Sequence, residues 1–258
     1  MRYVAVLMLI AGGLVLAALN LLSESGPLGS RRYVLVAVLL LLAAWFAACA
    51  VMYLAAVGFG AQMGRLVKRL DGRERLGLNW LLLGPSTVLS LGTRLYIQLA
   101  SYESTLAPID DRLYLGRLPL PGEIDDVREA GISAVVDLCA ELPEVDFLRR
   151  LPAGQYLAVP VLDGFTPTFE QLLIITDWVT GMLQRGHRVL LHCALGHGRS
   201  AVAAACTLLR LGRVETTDQA VAWLEKHRPR VSLHRGQTRA VRAFAARAGE
   251  LEISSGRG

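Results

Sequence analysis

The chain has 258 residues, 53% hydrophobic and only 19% charged, which excludes a disordered or fibrous protein and requires either a large core or membrane spans. Its net charge of +5 is unevenly placed: residues 1–63 carry +2, residues 64–76 carry +3, and residues 77–258 hold nineteen basic against nineteen acidic side chains. The excess therefore sits in or beside the apolar N-terminal third, where it faces phospholipid rather than nucleic acid.

In chain order, the first two elements are apolar runs. Residues 3–22 and 33–60 contain no charge. A helix needs about 20 apolar residues to cross the hydrocarbon of a bilayer, so both are long enough. A short Ser/Gly/Pro turn at 23–32 separates them, and residues 1–63 read as a transmembrane hairpin with spans at about 3–22 and 33–57. A cleaved signal peptide is the alternative for the first run, but its apolar core is too long and no small-residue cleavage site follows. Two basic residues lie in the hairpin loop, Arg31 and Arg32, against six on the other side. That asymmetry predicts an integral protein, of the bacterial inner-membrane kind, with both ends in the cytoplasm. Residues 64–103 read as a basic and interfacial linker. Within it, 76–93 is uncharged but broken by Gly84-Pro85, which favours an interfacial or re-entrant segment over a third span.

From about residue 104 strands alternate with helices. Strand signals lie at 112–116, 132–139, 155–161 and 187–193. Helical patterns lie at 122–131, 144–151, 166–186, 199–211, 216–227 and 235–249. Alternation of this kind predicts an α/β domain over 104–250, with a mostly parallel sheet flanked by helices, and a flexible tail at 251–258. Ligands of such sheets bind at the carboxyl ends of the strands. The four cysteines, Cys49, Cys139, Cys193 and Cys206, form no CxxC pair, so neither a metal cluster nor a disulfide framework is expected.

One strand end carries chemistry. Strand 187–193 runs straight into Ala194-Leu195-Gly196-His197-Gly198-Arg199-Ser200 and then a helix. Backbone N–H groups of a small-residue loop at a helix N-terminus converge into an anion-binding nest. Gly196 and Gly198 permit the backbone angles and close approach that such a loop needs, and Arg199 can set a planar fork on phosphate oxygens. Cys193 lies at the base of this positive bowl, where the same field favours a thiolate.

His192-Cys193-x5-Arg199-Ser200 after a buried strand resembles the signature loop of the cysteine-dependent protein tyrosine phosphatase superfamily. Arg112–Gly116, Ala134–Glu141, Val159–Pro167 and His227–Gln237 resemble corresponding stretches of its dual-specificity branch. The likeness covers about 104–249. It implies a protein tyrosine phosphatase-like α/β fold and hydrolysis of phosphomonoesters with Cys193 as nucleophile. The phosphate-binding loop would be Ala194, Leu195, Gly196, His197, Gly198 and Arg199. Ser200 would hydrogen-bond the departing thiolate, and His192 would support the loop through backbone contacts. Asp163 is the candidate general acid: it follows a strand and stands thirty residues before Cys193. Asp177 is the runner-up, and Asp137 reads as structural. No metal or other cofactor is implied. Phosphotyrosine, phosphoserine or phosphothreonine proteins are one substrate class and phospholipid monoesters, phosphatidylglycerophosphate-like or phosphoinositide, the other. His197 is a departure, since lipid-directed members often carry Lys there. A non-catalytic phospho-binding module is a further reading, but such proteins have usually lost Cys, Arg or the acid. Membrane lipid is a further expected partner, nucleic acid is not, and the oligomeric state is left open.

Overall fold

The two apolar runs form helices α1 (Arg2–Ser23) and α2 (Ser30–Arg69), which pack along one another. Leu7, Ala11 and Ala18 of α1 are buried, as are Val36, Ala43, Cys49, Ala50, Tyr53 and Ala56 of α2. Alanines dominate this seam and let the two backbones approach closely. Leu9 and Leu41 instead point outward, 76% and 70% exposed. Val4–Ser23 and Ser30–Val57 are long and apolar enough to cross a bilayer. In this computed structural model the described residues are 2–23, 30–69, 84–85, 88, 92, 95, 103–142 and 144–255. The expected interfacial segment at 76–93 lies outside them except at four positions, where Gly84 and Pro85 are buried and Gly84 rests against the Trp45 indole. The chain divides into two compact units, Met1–Thr93 and Arg94–Gly258.

The second unit is built on a five-stranded sheet. In chain order the strands are β1 (Leu106–Asp110), β2 (Leu113–Arg117), β3 (Ala134–Cys139), β4 (Tyr156–Val161) and β5 (Val189–Cys193). Their spatial order is β1-β2-β5-β3-β4. Only the β1–β2 pair is antiparallel; β2–β5, β5–β3 and β3–β4 are parallel. The sheet is therefore mixed, with one antiparallel edge added to the parallel arrangement the sequence predicts. β1 has no strong strand pattern because Pro108 interrupts it, and an edge strand tolerates that proline.

β3 and β5 are buried along their whole length, and their residues alternate between two cores. Ala134, Val136, Leu138, Val189, Leu191 and Cys193 face one core; Val135 and Leu190 face the other. The second core is closed by Val127 of α3 (Ile124–Glu129) and Leu148 of α4 (Asp146–Arg149). The first is covered by α5 (Phe169–Gln184), α6 (Arg199–Arg210), α7 (Thr217–His227) and α8 (Arg235–Ser255). α6 is the central helix: Arg199 through Leu208 are all buried, and its alanines at 201 and 203–205 allow the surrounding elements to close on it. Thr168 and Gln171 form a capping box that fixes the start of α5, and Thr216 with Gln219 does the same for α7. α8 runs as far as Ser255, into the segment expected as a tail, whose last residues 256–258 lie outside the described ones.

Candidate active site

Cys193 is the last residue of β5, at the carboxyl end of the parallel strands. Its carbonyl accepts a hydrogen bond from the Leu118 N–H at 2.8 Å, which ties the strand end to the segment after β2. Residues 194–198 then turn into α6. Gly196 has φ +79°, and a Cβ there would lie 2.5 Å from the Gly116 carbonyl oxygen. The turn thus needs glycine for both its angle and its contact with β2. Gly198 has φ −123° and ψ −83°, outside the ordinary helical and extended regions, and it also supplies room, since a Cβ would stand 2.8 Å from Gln237 Nε2 of α8.

The Cys193 sulfur accepts hydrogen bonds from the Gly196 N–H and the Ser200 hydroxyl, each at 3.3 Å. Burial by itself pushes this thiol up. The Arg199 guanidinium, the Ser200 hydroxyl and the amides of Ser200 and Gly196 outweigh burial and hold it below the ordinary thiol value.

Arg199 is buried, and its fork is fixed by three elements. Nη1 and Nη2 donate to the two oxygens of Glu141 at 2.8 and 2.7 Å, and Nη1 also donates to the Val161 carbonyl at 2.7 Å. Nη2 lies 3.1 Å from Oδ1 of Asp163, whose side chain is 23% exposed. The fold thus brings Asp163 to the guanidinium beside Cys193 while leaving it open to solvent. Asp177 lies on the exposed side of α5, 3.4 Å from Arg210.

Behind the loop lies a buried polar cluster. His192 Nε2 is 2.6 Å from Glu144 Oε2. Asp137 accepts from the Cys139 N–H at 2.7 Å and from the Tyr156 hydroxyl at 2.8 Å. The expected backbone role of His192 is therefore replaced by a side-chain pair, and His192 Nδ1 is buried without a hydrogen-bond partner. Burial opposes a proton on His192, but Glu144, Asp137 and the Cys193 thiolate outweigh it and push its pKa up to about 9. Donor atoms of Asp137, Glu144 and His192 fall within 4.8 Å of one another, close enough for a metal ion. Most are already engaged: Glu144 with His192, and both Asp137 oxygens with Cys139 and Tyr156.

On the rim, His197 Nε2 lies 3.0 and 2.8 Å from the two carboxylate oxygens of Glu103. Arg228, buried, lies with Nε 3.2 Å from Glu103 and donates to the carbonyls of Ser104 and Leu195 at 3.0 and 3.2 Å. Burial alone would raise the Glu103 carboxyl, but its bond to His197 and the charges of Arg228, His197 and Arg230 hold it below the usual carboxylate range.

Cys193, Arg199, Ser200, Asp163 and the loop residues 194–198 thus meet at one strand end. Sequence reasoning missed Glu141, Glu144, Glu103 and Arg228. Glu141 and Glu144 had a usable signal, since both follow the carboxyl end of a buried parallel strand. Glu103 and Arg228 had none, because their partners lie 94 and 33 residues away.

Residues 115–213 match the family model described as "Polymorphic toxin system, DSP-PTPase phosphatase". Human dual specificity protein phosphatase 2 is 29% identical over 125 residues, covering 46% of this chain and 37% of its own length. The phosphatidylglycerophosphate phosphatase PTPMT2 of Arabidopsis thaliana is 24% identical over 140 residues, covering 53% of this chain and 61% of its own. The chain thus spans roughly two fifths to three fifths of the length of these relatives. Among solved structures, Tk-PTP in the active form superposes with a TM-score of 0.51 at 28% identity, covering 55% of this chain and 97% of its own. Human DUSP28, at 19% identity and TM-score 0.50, shares the fold.

Proposed function

We propose that this dual-specificity-type protein tyrosine phosphatase domain is the catalytic unit of a membrane-anchored phosphomonoesterase that works through a phosphocysteine intermediate. The observation that carries the reading is the doubly hydrogen-bonded Cys193 sulfur on the same loop as Arg199, with Asp163 3.1 Å from that guanidinium. In the first step the Cys193 thiolate attacks phosphorus. The S–P bond forms as the ester P–O bond breaks, and Asp163 gives its proton to the leaving oxygen. Arg199 and the loop amides from Ala194 to Gly198 hold the remaining phosphoryl oxygens. In the second step ionised Asp163 takes a proton from water, whose oxygen attacks phosphorus. The S–P bond breaks, the Ser200 hydroxyl stabilises the departing thiolate, and inorganic phosphate leaves. Glu141 positions Arg199, and the His192–Glu144 pair stands behind the nucleophile. Each step draws on these side chains and water.

The substrate is a phosphotyrosine, phosphoserine or phosphothreonine protein, a reading supported by the family model and the dual specificity relative. A phospholipid monoester is the second reading, favoured by the two apolar helices together with the phosphatidylglycerophosphate phosphatase relative. In either case the hairpin is a membrane anchor. Six basic residues against two support a cytoplasmic position for the catalytic unit, with a bacterial inner membrane as the proposed setting. A reducing compartment also suits an ionised thiolate, which oxidation would silence.

The test is Cys193→Ser in the full-length protein in detergent, assayed on phosphotyrosine peptide and on phospholipid monoester. Turnover by the native protein and its loss in the variant are expected. Retained turnover in the variant would overturn the phosphocysteine route, and native preference for the lipid would favour the second substrate reading.

A further inference from the structure

His197 occupies the phosphate loop, four residues after Cys193 and two before Arg199, yet the mechanism assigns its side chain no role. Glu103 holds its ring through both carboxylate oxygens. Glu103 is itself held by Arg228, which also donates to the carbonyls of Ser104 and Leu195. One carboxylate is thereby fixed beside the loop, and its backbone is anchored at Ser104 by the same guanidinium that anchors the loop at Leu195. Both side chains are partly exposed, 18% for His197 and 12% for Glu103, so both reach the rim.

The surrounding charges are matched in the same way. Arg117, Arg199 and Arg228 are the buried arginines of the described residues. Arg117 pairs with Glu123, Arg199 with Glu141 and Asp163, and Arg228 with Glu103. Arg230, exposed, adds its charge near Glu103. Arg199 and the loop amides are thus left to take one phosphoryl group, while the imidazole on the same loop is already occupied by a carboxylate.

We infer that Glu103 is a specificity-determining residue: by occupying His197 it restricts the site to phosphomonoesters with no second anionic group beside the phosphate. The inference rests on the phosphatase reading above and names the substrate class within it. A neighbouring phosphate or carboxylate on the substrate meets the Glu103 charge instead of a free imidazole N–H. Like charges at such range disfavour each other, and the partly desolvated rim weakens the screening that water would supply. Releasing His197 would free its ring N–H to donate to that second anionic group.

The experiment compares two peptides, one with phosphotyrosine between neutral residues and one with a second phosphorylated residue adjacent to it. Full-length protein in detergent is used for turnover. Cys193→Ser protein is used for binding, which reads the inference even where turnover is absent. The native protein is expected to favour the singly phosphorylated peptide. Glu103→Gln should shift the kcat/KM ratio, and the binding ratio in the Cys193→Ser background, about tenfold toward the doubly phosphorylated peptide. His197→Ala added to Glu103→Gln should cancel the shift. Equal loss on both peptides would show that Glu103 only shapes the loop, and a shift that survives His197→Ala would also overturn the inference. Lack of turnover by the native protein on either peptide, with the binding shift present, would count against the phosphatase reading and leave this one standing.

Discussion

Glu141 is the sharpest test of how the catalytic arginine is set. Two of the guanidinium's donors end on its carboxylate, at 2.8 and 2.7 Å, in a pair with almost no solvent contact. Glu141→Gln keeps the shape and removes one acceptor and the charge. A hydrogen bond to a charged group contributes about 1.5–3 kcal/mol. If that energy holds the fork in its reacting plane, kcat/KM falls about tenfold to ~150-fold, at 1.36 kcal/mol per decade. The Val161 carbonyl still accepts from Nη1, so the side chain stays in place and the fold survives. The assay is steady-state turnover on an aryl phosphate, with phosphate inhibition and thermal unfolding measured in parallel. A weaker phosphate inhibition constant should accompany the loss of kcat/KM. Unchanged kcat/KM with a lowered melting temperature would refute the reasoning and make Glu141 a purely structural partner.

Asp163→Asn should reduce turnover most on alkyl phosphates and little on an activated aryl phosphate, because a general acid contributes ~10²–10⁴-fold only where the leaving oxygen needs a proton; kcat/KM against leaving-group pKa reads this, and the basic limb of the pH profile should disappear. Gly196→Ala forces a positive φ of 79° on a side chain that meets the Gly116 oxygen, so it should lower thermal stability and abolish turnover together, as scanning calorimetry and assay would show. The His192–Glu144 pair gives a pH signature. His192 is raised to about 9 in the folded state, so its contribution to stability is complete below its ordinary value near 6.5 and is lost as pH rises through 9. Measured by denaturant titration in Cys193→Ser protein, which removes the thiolate's own titration and its share of the shift, stability should fall over a window that closes below 9; Glu144→Gln should flatten the slope.

Much of this protein was legible in its residues because the relevant signals are local. Length and lack of charge define the two apolar helices, and the alternation of buried runs with amphipathic ones defines the sheet and its covering helices. The phosphate loop is contiguous, so Cys193 through Ser200 could be read as one unit, and Asp163 was marked by its place after a strand. Edge strand β1 was not legible, since Pro108 breaks its pattern and only pairing with β2 makes it a strand. Nor were the pairings within the site, although the position of Glu141 and Glu144 after a buried strand marked them as candidates. Glu141 reaches Arg199 across 58 residues, Glu144 reaches His192 across 48, and Glu103 reaches His197 across 94. No periodicity records such contacts, because they exist only once parallel strands bring distant ends of the chain to one edge of the sheet. The sequence alone could thus mark the cysteine proposed to attack phosphorus; the tertiary structure decided which carboxylates hold the cations around it, since a buried charge takes whatever partner the packing places within reach.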